Sequence, residues 1–219
     1  LRTGGNRLGT HRVLAPKGAL PQAAERLDAG LPIFDNEILI GVERLNIDAA
    51  SFADLSAETK GDPKKIAARI GAIVKARGKM PTPATNSGGC LLGGVKEVGL
   101  AFPDKTLTVG SRIATLVSLT LTPLHLEKIG AIDLASHQVA VTGHAILFAS
   151  GIAARLPDDI PETTALAILD VCGAPAWMPR VCQPGDAVLV IGAGKAGILA
   201  MAAARQAVSS RIRKSQHLP

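Results

Sequence analysis

Residues 185–204 read Gly185-Asp-Ala-Val-Leu-Val-Ile-Gly-Ala-Gly-Lys-Ala-Gly-Ile-Leu-Ala-Met-Ala-Ala-Ala204, and the reading of this stretch decides the fold class. Val188 to Ile191 is a short apolar, mostly β-branched run with the signature of a buried parallel strand. It leads into Gly192, Gly194 and Gly197, spaced G-x-G-x-x-G, and then into the helix-forming run Ile198 to Ala204. In that context Gly192 permits a tight turn, Gly194 admits a pyrophosphate, and Gly197 lets the helix pack closely on the strand. The helix N-terminus would offer its unpaired N–H groups and positive dipole end to the phosphates. The spacing alone is weak evidence. Its place between a strand pattern and a helix pattern makes a ligand-free glycine turn the poorer reading.

On its C-terminal side the motif lacks what a dinucleotide fold needs next. A ribose-reading Asp or Glu is expected about 20 residues past the turn, at the end of a second strand. Residues 207–219 contain no acid and no apolar strand pattern, and read as an atypical basic tail. The expectation is therefore a Rossmann domain cut short, with 161–206 supplying a linking helix and the first βα unit. NAD binding by this chain alone should be poor, and NAD against NADP stays undecided. The helix at Ile198 to Ala204 should be exposed on one side, which favours association, including a homo-oligomer.

Composition narrows the remaining classes. With 219 residues, 47% of them hydrophobic, the chain can hold one large domain or one and a half. No apolar run of roughly 20 residues lacks a charge or proline, so no membrane contact is expected. Leu1 to Arg7 has neither an initiator Met nor the apolar core of a signal peptide. The net charge of +6 is concentrated late, since Lys195, Arg205, Arg211, Arg213 and Lys214 all follow Asp186, the last acid. One Trp, no Tyr and four Phe leave no aromatic platform for bases, and nucleic acid is not an expected partner. Cys90, Cys172 and Cys182 lie far apart with no C-x-x-C, which argues against a zinc lobe or a disulfide framework. They read as small buried hydrophobes in a reduced, cytoplasmic setting.

Upstream of the glycine turn the chain is punctuated by short strand patterns. Thr10 to Leu14 reads as an opening strand. Ile38, Ile40 and Val42 alternate with Leu39, Gly41 and Glu43, the period of a strand with one buried face. Residues 53–61 look like a polar loop. Asp62-Pro63 then opens a helix, cap followed by proline, with Ile66, Ile70, Ile73 and Val74 on one face. Met80 to Gly89 is a turn-rich loop before a glycine-interrupted strand over Cys90 to Gly99. Further strands are predicted at Thr108 to Val117, Gln138 to Thr142 and His144 to Phe148, with a connecting segment running through Lys128. A helix follows from Glu162 to about Val171. The predicted class is α/β with a mainly β N-terminal part over 1–160.

This order of motifs resembles the medium-chain dehydrogenase/reductase superfamily. The landmarks are Gly88-Gly89, Gly93-Gly-Val-Lys-Glu-Val-Gly99, Val109-Gly-Ser-Arg-Ile-Ala114, Leu156-Pro157, and Pro184-Gly-Asp-Ala-Val-Leu-Val190 before the glycine turn. The resemblance implies a GroES-like, bent-barrel catalytic domain followed by the start of a Rossmann domain. Within it, Gly9 to Gly18, Asp35 to Ile40, Leu45 to Phe52, Ala114 to Pro123 and Leu169 to Ala176 are similar to the family of L-erythro-3,5-diaminohexanoate dehydrogenases. That family implies NAD-dependent oxidative deamination of a small diamino acid, L-erythro-3,5-diaminohexanoate, to 5-amino-3-oxohexanoate in lysine fermentation. Zinc-dependent members of the superfamily carry a cysteine after the early strand, where this chain reads Leu45-Asn-Ile-Asp-Ala-Ala-Ser51. A site without metal is thus implied, in the style of the quinone-reductase branch, which also has Asn near position 46. A quinone or enoyl reductase and a non-catalytic fragment are the rival readings.

Amine oxidation needs a base near neutral pKa and carboxylate or carbonyl oxygens around the ammonium groups. Asp48 is the leading candidate, with a helix or turn cap as its competing role. Ser51 stands beside it as a second catalytic candidate. Asn46, Gly192, Gly194 and Gly197 are the cofactor-binding candidates, and Ser87, Ser118 and Thr120 the candidates for lining a substrate cleft. His11, His125, His137 and His144 are bases by type, but none has a carboxylate at a revealing spacing.

Overall fold

The alternation at Ile38, Ile40 and Val42 builds the sheet to which the rest of the N-terminal half attaches. The structure, a computed structural model, describes residues 1–82 and 88–209. Thr10–Arg12 is a short 3-10 turn rather than the start of a strand, and β1 (Val13–Ala15) pairs antiparallel with β2 (Arg26–Leu27). The predicted strand is β3 (Ile38–Asn46), with Ile38, Ile40 and Val42 buried as their period requires. At Glu43 a bulge re-phases the side chains, so that Leu45 and Asn46 are buried too.

After β3 comes α1 (Ala49–Thr59), where the sequence suggested a polar loop. Ser51, Phe52, Leu55 and Thr59 form its buried stripe, and Asp48 caps it by accepting the Ser51 N–H. Two of those four inward residues are polar, which is why the helical period is faint. α2 (Pro63–Arg77) has the predicted cap, Asp62 accepting from the N–H groups of Lys64 and Lys65. Its stripe of Ile66, Ile70, Ile73 and Val74 packs into the core under the sheet.

β4 (Cys90–Val98) pairs antiparallel with β3 and with β5 (Arg112–Thr115). The segment read as a connection is instead β6 (Leu124–Asp133), an edge strand whose mostly exposed residues give little alternation. The two short strands proposed around Gly143 are one continuous strand, β7 (Gln138–Leu147), which carries its ladder through the glycine. With β8 (Ala153–Arg155) the sheet has six strands in the order β6-β7-β3-β4-β5-β8.

The opening of the chain is pinned by buried charge. Arg12 donates through Nε and NH2 to Glu37, and the Glu37 carboxylate also accepts the Phe34 N–H and meets His11 Nε2. Lys79 is buried as well, donating through Nζ to the carbonyls of Pro21 and Gln22. Burial, with Arg77 adding, pushes its pKa down to about 8.

Three helices follow, α3 (Glu162–Leu169), α4 (Gly173–Val181) and α5 (Lys195–Ser209). The chain divides into two compact units, Leu1–Leu166 and Ala167–Pro219. In the second unit α4 and α5 pack together. The run Val188 to Ile191 is a correction to the sequence reading, because it joins no ladder among the described residues. Leu189 is 84% exposed and Ile191 92%, whereas a parallel strand is buried on both faces by its neighbours.

Candidate functional site

The end of β3 is where the sequence-derived candidates meet. Asn46 stands in register between Cys90 on β4 and Gln138 on β7. Gln138 Nε2 donates to Asn46 Oδ1 at 3.3 Å and to the Thr163 carbonyl at 2.8 Å. The chain then turns into α1, with the Ile47 N–H donating to the His137 carbonyl. Gly89 crosses against this turn at φ 85°, and a Cβ there would lie 1.9 Å from the Asn46 carbonyl oxygen. Only glycine lets the two backbones approach so closely.

One turn into α1, Asp48 and Ser51 form a short relay with a third residue. The Ser51 hydroxyl donates to Asp48 Oδ2 at 2.6 Å and lies 2.7 Å from Thr82 Oγ1. A serine hydroxyl has one proton to give. With that proton on Asp48, the Thr82 hydroxyl is the donor toward Ser51. The polarity therefore runs Thr82 to Ser51 to Asp48, ending on a half-buried carboxylate that is also the cap of α1.

Ser118 and Thr120 lie together, but their hydroxyls turn on each other. Ser118 Oγ accepts from the Thr120 N–H at 3.2 Å and from its hydroxyl at 2.9 Å. Thr122 donates to the Ser118 carbonyl. This turn carries Leu119, whose N–H donates to Gly89 and whose carbonyl accepts from Met80, joining it to the same region as Asn46. Ser87, with Thr85 and Asn86, lies outside the described residues.

The histidines have structural partners. His11 meets Glu37, His137 stacks on Phe52 with ring centroids 4.5 Å apart, and His144 Nε2 meets the Ala29 carbonyl. His125 lies beside His144 at 5.1 Å, on a groove of about 840 Å³ bordered also by Arg26 and Lys75. His144 pairs with Gly41, back along β3 from Asn46, so the groove is separate from the Asn46 region. No group of three or more His, Cys, Asp or Glu that could hold a metal ion occurs among the described residues.

Two contributors were missed from sequence. Thr82 belongs to the polar loop at Met80 to Gly89, but only tertiary contact couples it to Ser51. Gln138 carries no sequence signal, because its role follows from strand register.

In the second unit the glycine turn is tight where Gly192 and Gly197 meet and open at Gly194. Gly192 takes φ 111°, and a Cβ on Gly197 would lie 1.9 Å from the Gly192 carbonyl oxygen. A Cβ on Gly194 would meet nothing within 4 Å, so its backbone is open to a ligand at the start of α5.

Residues 11–157 match the family described as L-erythro-3,5-diaminohexanoate dehydrogenase N-terminal domain. An L-erythro-3,5-diaminohexanoate dehydrogenase from Acetoanaerobium sticklandii is 50% identical over 206 residues, covering 93% of this chain and 60% of that protein. One from Fusobacterium nucleatum subsp. nucleatum is 50% identical over 197 residues, covering 89% of this chain and 57% of that protein. The chain thus spans about three fifths of the relatives it matches. Among solved structures, an alcohol dehydrogenase from Thermus sp. ATN1 aligns over 84% of this chain and 51% of that one, at 17% identity and a TM-score of 0.44.

Proposed function

This chain belongs to the L-erythro-3,5-diaminohexanoate dehydrogenase N-terminal domain family, and from that premise we propose that it is the substrate-handling part of an NAD-dependent amine dehydrogenase. The proposed reaction is the oxidative deamination of L-erythro-3,5-diaminohexanoate to 5-amino-3-oxohexanoate, with release of ammonium. Residues 1–160 act as the catalytic domain, and the turn at Gly192, Gly194 and Gly197 meets the pyrophosphate of the cofactor. The open backbone at Gly194 fits that role. NAD, when bound, accepts the hydride.

The remaining work falls to side chains of the first unit. An amine that loses hydride from carbon must also lose a proton from nitrogen, and water must then add to the carbon and expel ammonium. The hydroxyl relay from Thr82 through Ser51 to Asp48 supplies a route for that proton to a carboxylate. The negative charge of Asp48 also complements an ammonium group nearby. Asn46 offers an amide for orienting substrate or cofactor. The 50% identity to two dehydrogenases of this name supports the substrate, and the relay ending on Asp48 supports the mechanism.

The test is NADH formation from L-erythro-3,5-diaminohexanoate by the 219-residue chain and by Asp48→Asn. Asparagine keeps an oxygen to cap α1 but cannot take a proton at neutral pH. We expect the variant to lose about 10²-fold or more in turnover with little change in thermal midpoint. Equal turnover by Asp48→Asn would remove Asp48 from the mechanism. Turnover of a quinone or enoyl substrate in place of the diamine would replace the whole reading.

A further inference from the structure

Four buried side-chain atoms among the described residues of the first unit lack a hydrogen-bond partner, and two of them, Asn46 Nδ2 and Gln138 Oε1, belong to amides that touch each other, which Asn36 Oδ1 and Asp54 Oδ2 do not. Exposure is 0% for Asn46 and 1% for Gln138. What each amide faces decides its orientation. The Thr163 carbonyl can only accept, so the Gln138 atom 2.8 Å from it is the donor Nε2. The second hydrogen of Nε2 points to Asn46, and the atom receiving it there must be Oδ1. Asn46 is left with its NH2 group turned to a place where no acceptor lies among the described residues. Buried polar groups are almost always paired, so a donor locked in this way marks where a partner arrives.

The clamp has its own support. Thr163 follows Glu162, whose carboxylate takes two hydrogen bonds from Arg112 on β5, at 2.9 and 2.8 Å. Arg112 also donates to Glu43, the bulged residue of β3. Both ends of the Gln138 contact are therefore tied to the same sheet.

We infer that Gln138 is a positioning residue that holds the Asn46 carboxamide with its N–H toward a ligand's carbonyl or carboxylate oxygen. The oxygen belongs to the amino acid or to the nicotinamide carboxamide. Gln138 Oε1, the second orphan, is an acceptor suited to an ammonium or amide N–H of the same ligand. The inference rests on the reading of the chain as a diamino-acid dehydrogenase for the choice of ligands, and on the two orphan atoms for the orientation.

The experiment uses side-chain amide resonances of the ¹⁵N-labelled 219-residue chain. Asn46→Asp, which keeps an acceptor toward Gln138 and removes the donor, assigns the Asn46 NH2 signal. Gln138→Met, close in shape but unable to donate, is expected to move that signal in the free chain. L-erythro-3,5-diaminohexanoate and NAD are then titrated separately, and the one that shifts the Asn46 signal is the source of the oxygen. Each substitution should weaken that ligand about tenfold, and the double variant no further than either alone. A purely structural role would lower the thermal midpoint without this non-additivity. The inference is overturned if Gln138→Met leaves the Asn46 signal in place, if neither ligand moves it, or if the two losses add. Binding of NAD with the expected pattern but no binding of the diamine would sink the substrate assignment and leave the positioning role standing.

Discussion

Arg12 and Glu37 are both excluded from solvent and meet through two parallel N–H to oxygen bonds, with His11 and the Phe34 N–H on the same carboxylate. Burial raises the Glu37 pKa, but the hydrogen bonds from His11 and Arg12 outweigh it and hold the group at about 2 instead of 4.5. A depressed folded-state pKa adds stability above the unfolded value and loses it as pH falls through the folded one. Urea midpoints should therefore drop between pH 4.5 and about 2, and Glu37→Gln should flatten that slope. At neutral pH the same substitution should destabilise by about 3 kcal/mol, since it leaves the buried Arg12 with only the partly exposed Asp28 carboxylate, 3.6 Å away, as counter-charge. An unchanged acid profile in Glu37→Gln would show that other carboxylates set it. None of this partnership is legible along the chain, because Arg12 and Glu37 are 25 residues apart and joined only by the fold. The Asp62-Pro63 cap was legible, since cap and first turn are adjacent residues.

Elements were readable in proportion to how strongly one face was apolar. α2 and β3 follow their predicted patterns because Ile and Val alone occupy most of the inward positions. α1 has only a faint sequence pattern because Ser51 and Thr59 share its buried stripe, and β6 because it lies at the sheet edge with most side chains in water. The α1 stripe still carries packing energy. Leu55→Ala should destabilise by about 2–5 kcal/mol in chemical denaturation. A loss below about 1 kcal/mol would mean that α1 is held by its cap and not by its core contact. The relay from Asp48 depends on this helix, because Ser51 reaches both Asp48 and Thr82 from its first turn.

At the scale of the molecule, the second unit exposes apolar surface on both the extended run and the helix after the glycine turn. Leu189 and Ile191 face solvent, as do Ile198 and Met201 on α5. Surfaces of this kind favour association. Sedimentation velocity should show concentration-dependent self-association, reduced by the double substitution Leu189→Lys and Ile191→Lys. A monomer at all concentrations would contradict it. The same exposure predicts weak NAD binding by the 219-residue chain, because the run beside the glycine turn joins no sheet among the described residues. Calorimetry finding a micromolar dissociation constant would refute that.

Read alone, the amino-acid order determined the glycine turn, the capped helix at Pro63, the alternating strand at Ile38, and through five ordered segments the family. These depend on residues near one another in sequence, where steric and hydrogen-bonding rules act locally. The tertiary structure alone decided that Thr82 completes the relay and that Gln138 faces Asn46. It also decided that Val188 to Ile191 finds no neighbouring strand among the described residues. Each of those follows from register or packing between distant segments, and a hydrophobic pattern states which face is buried without stating what it is buried against.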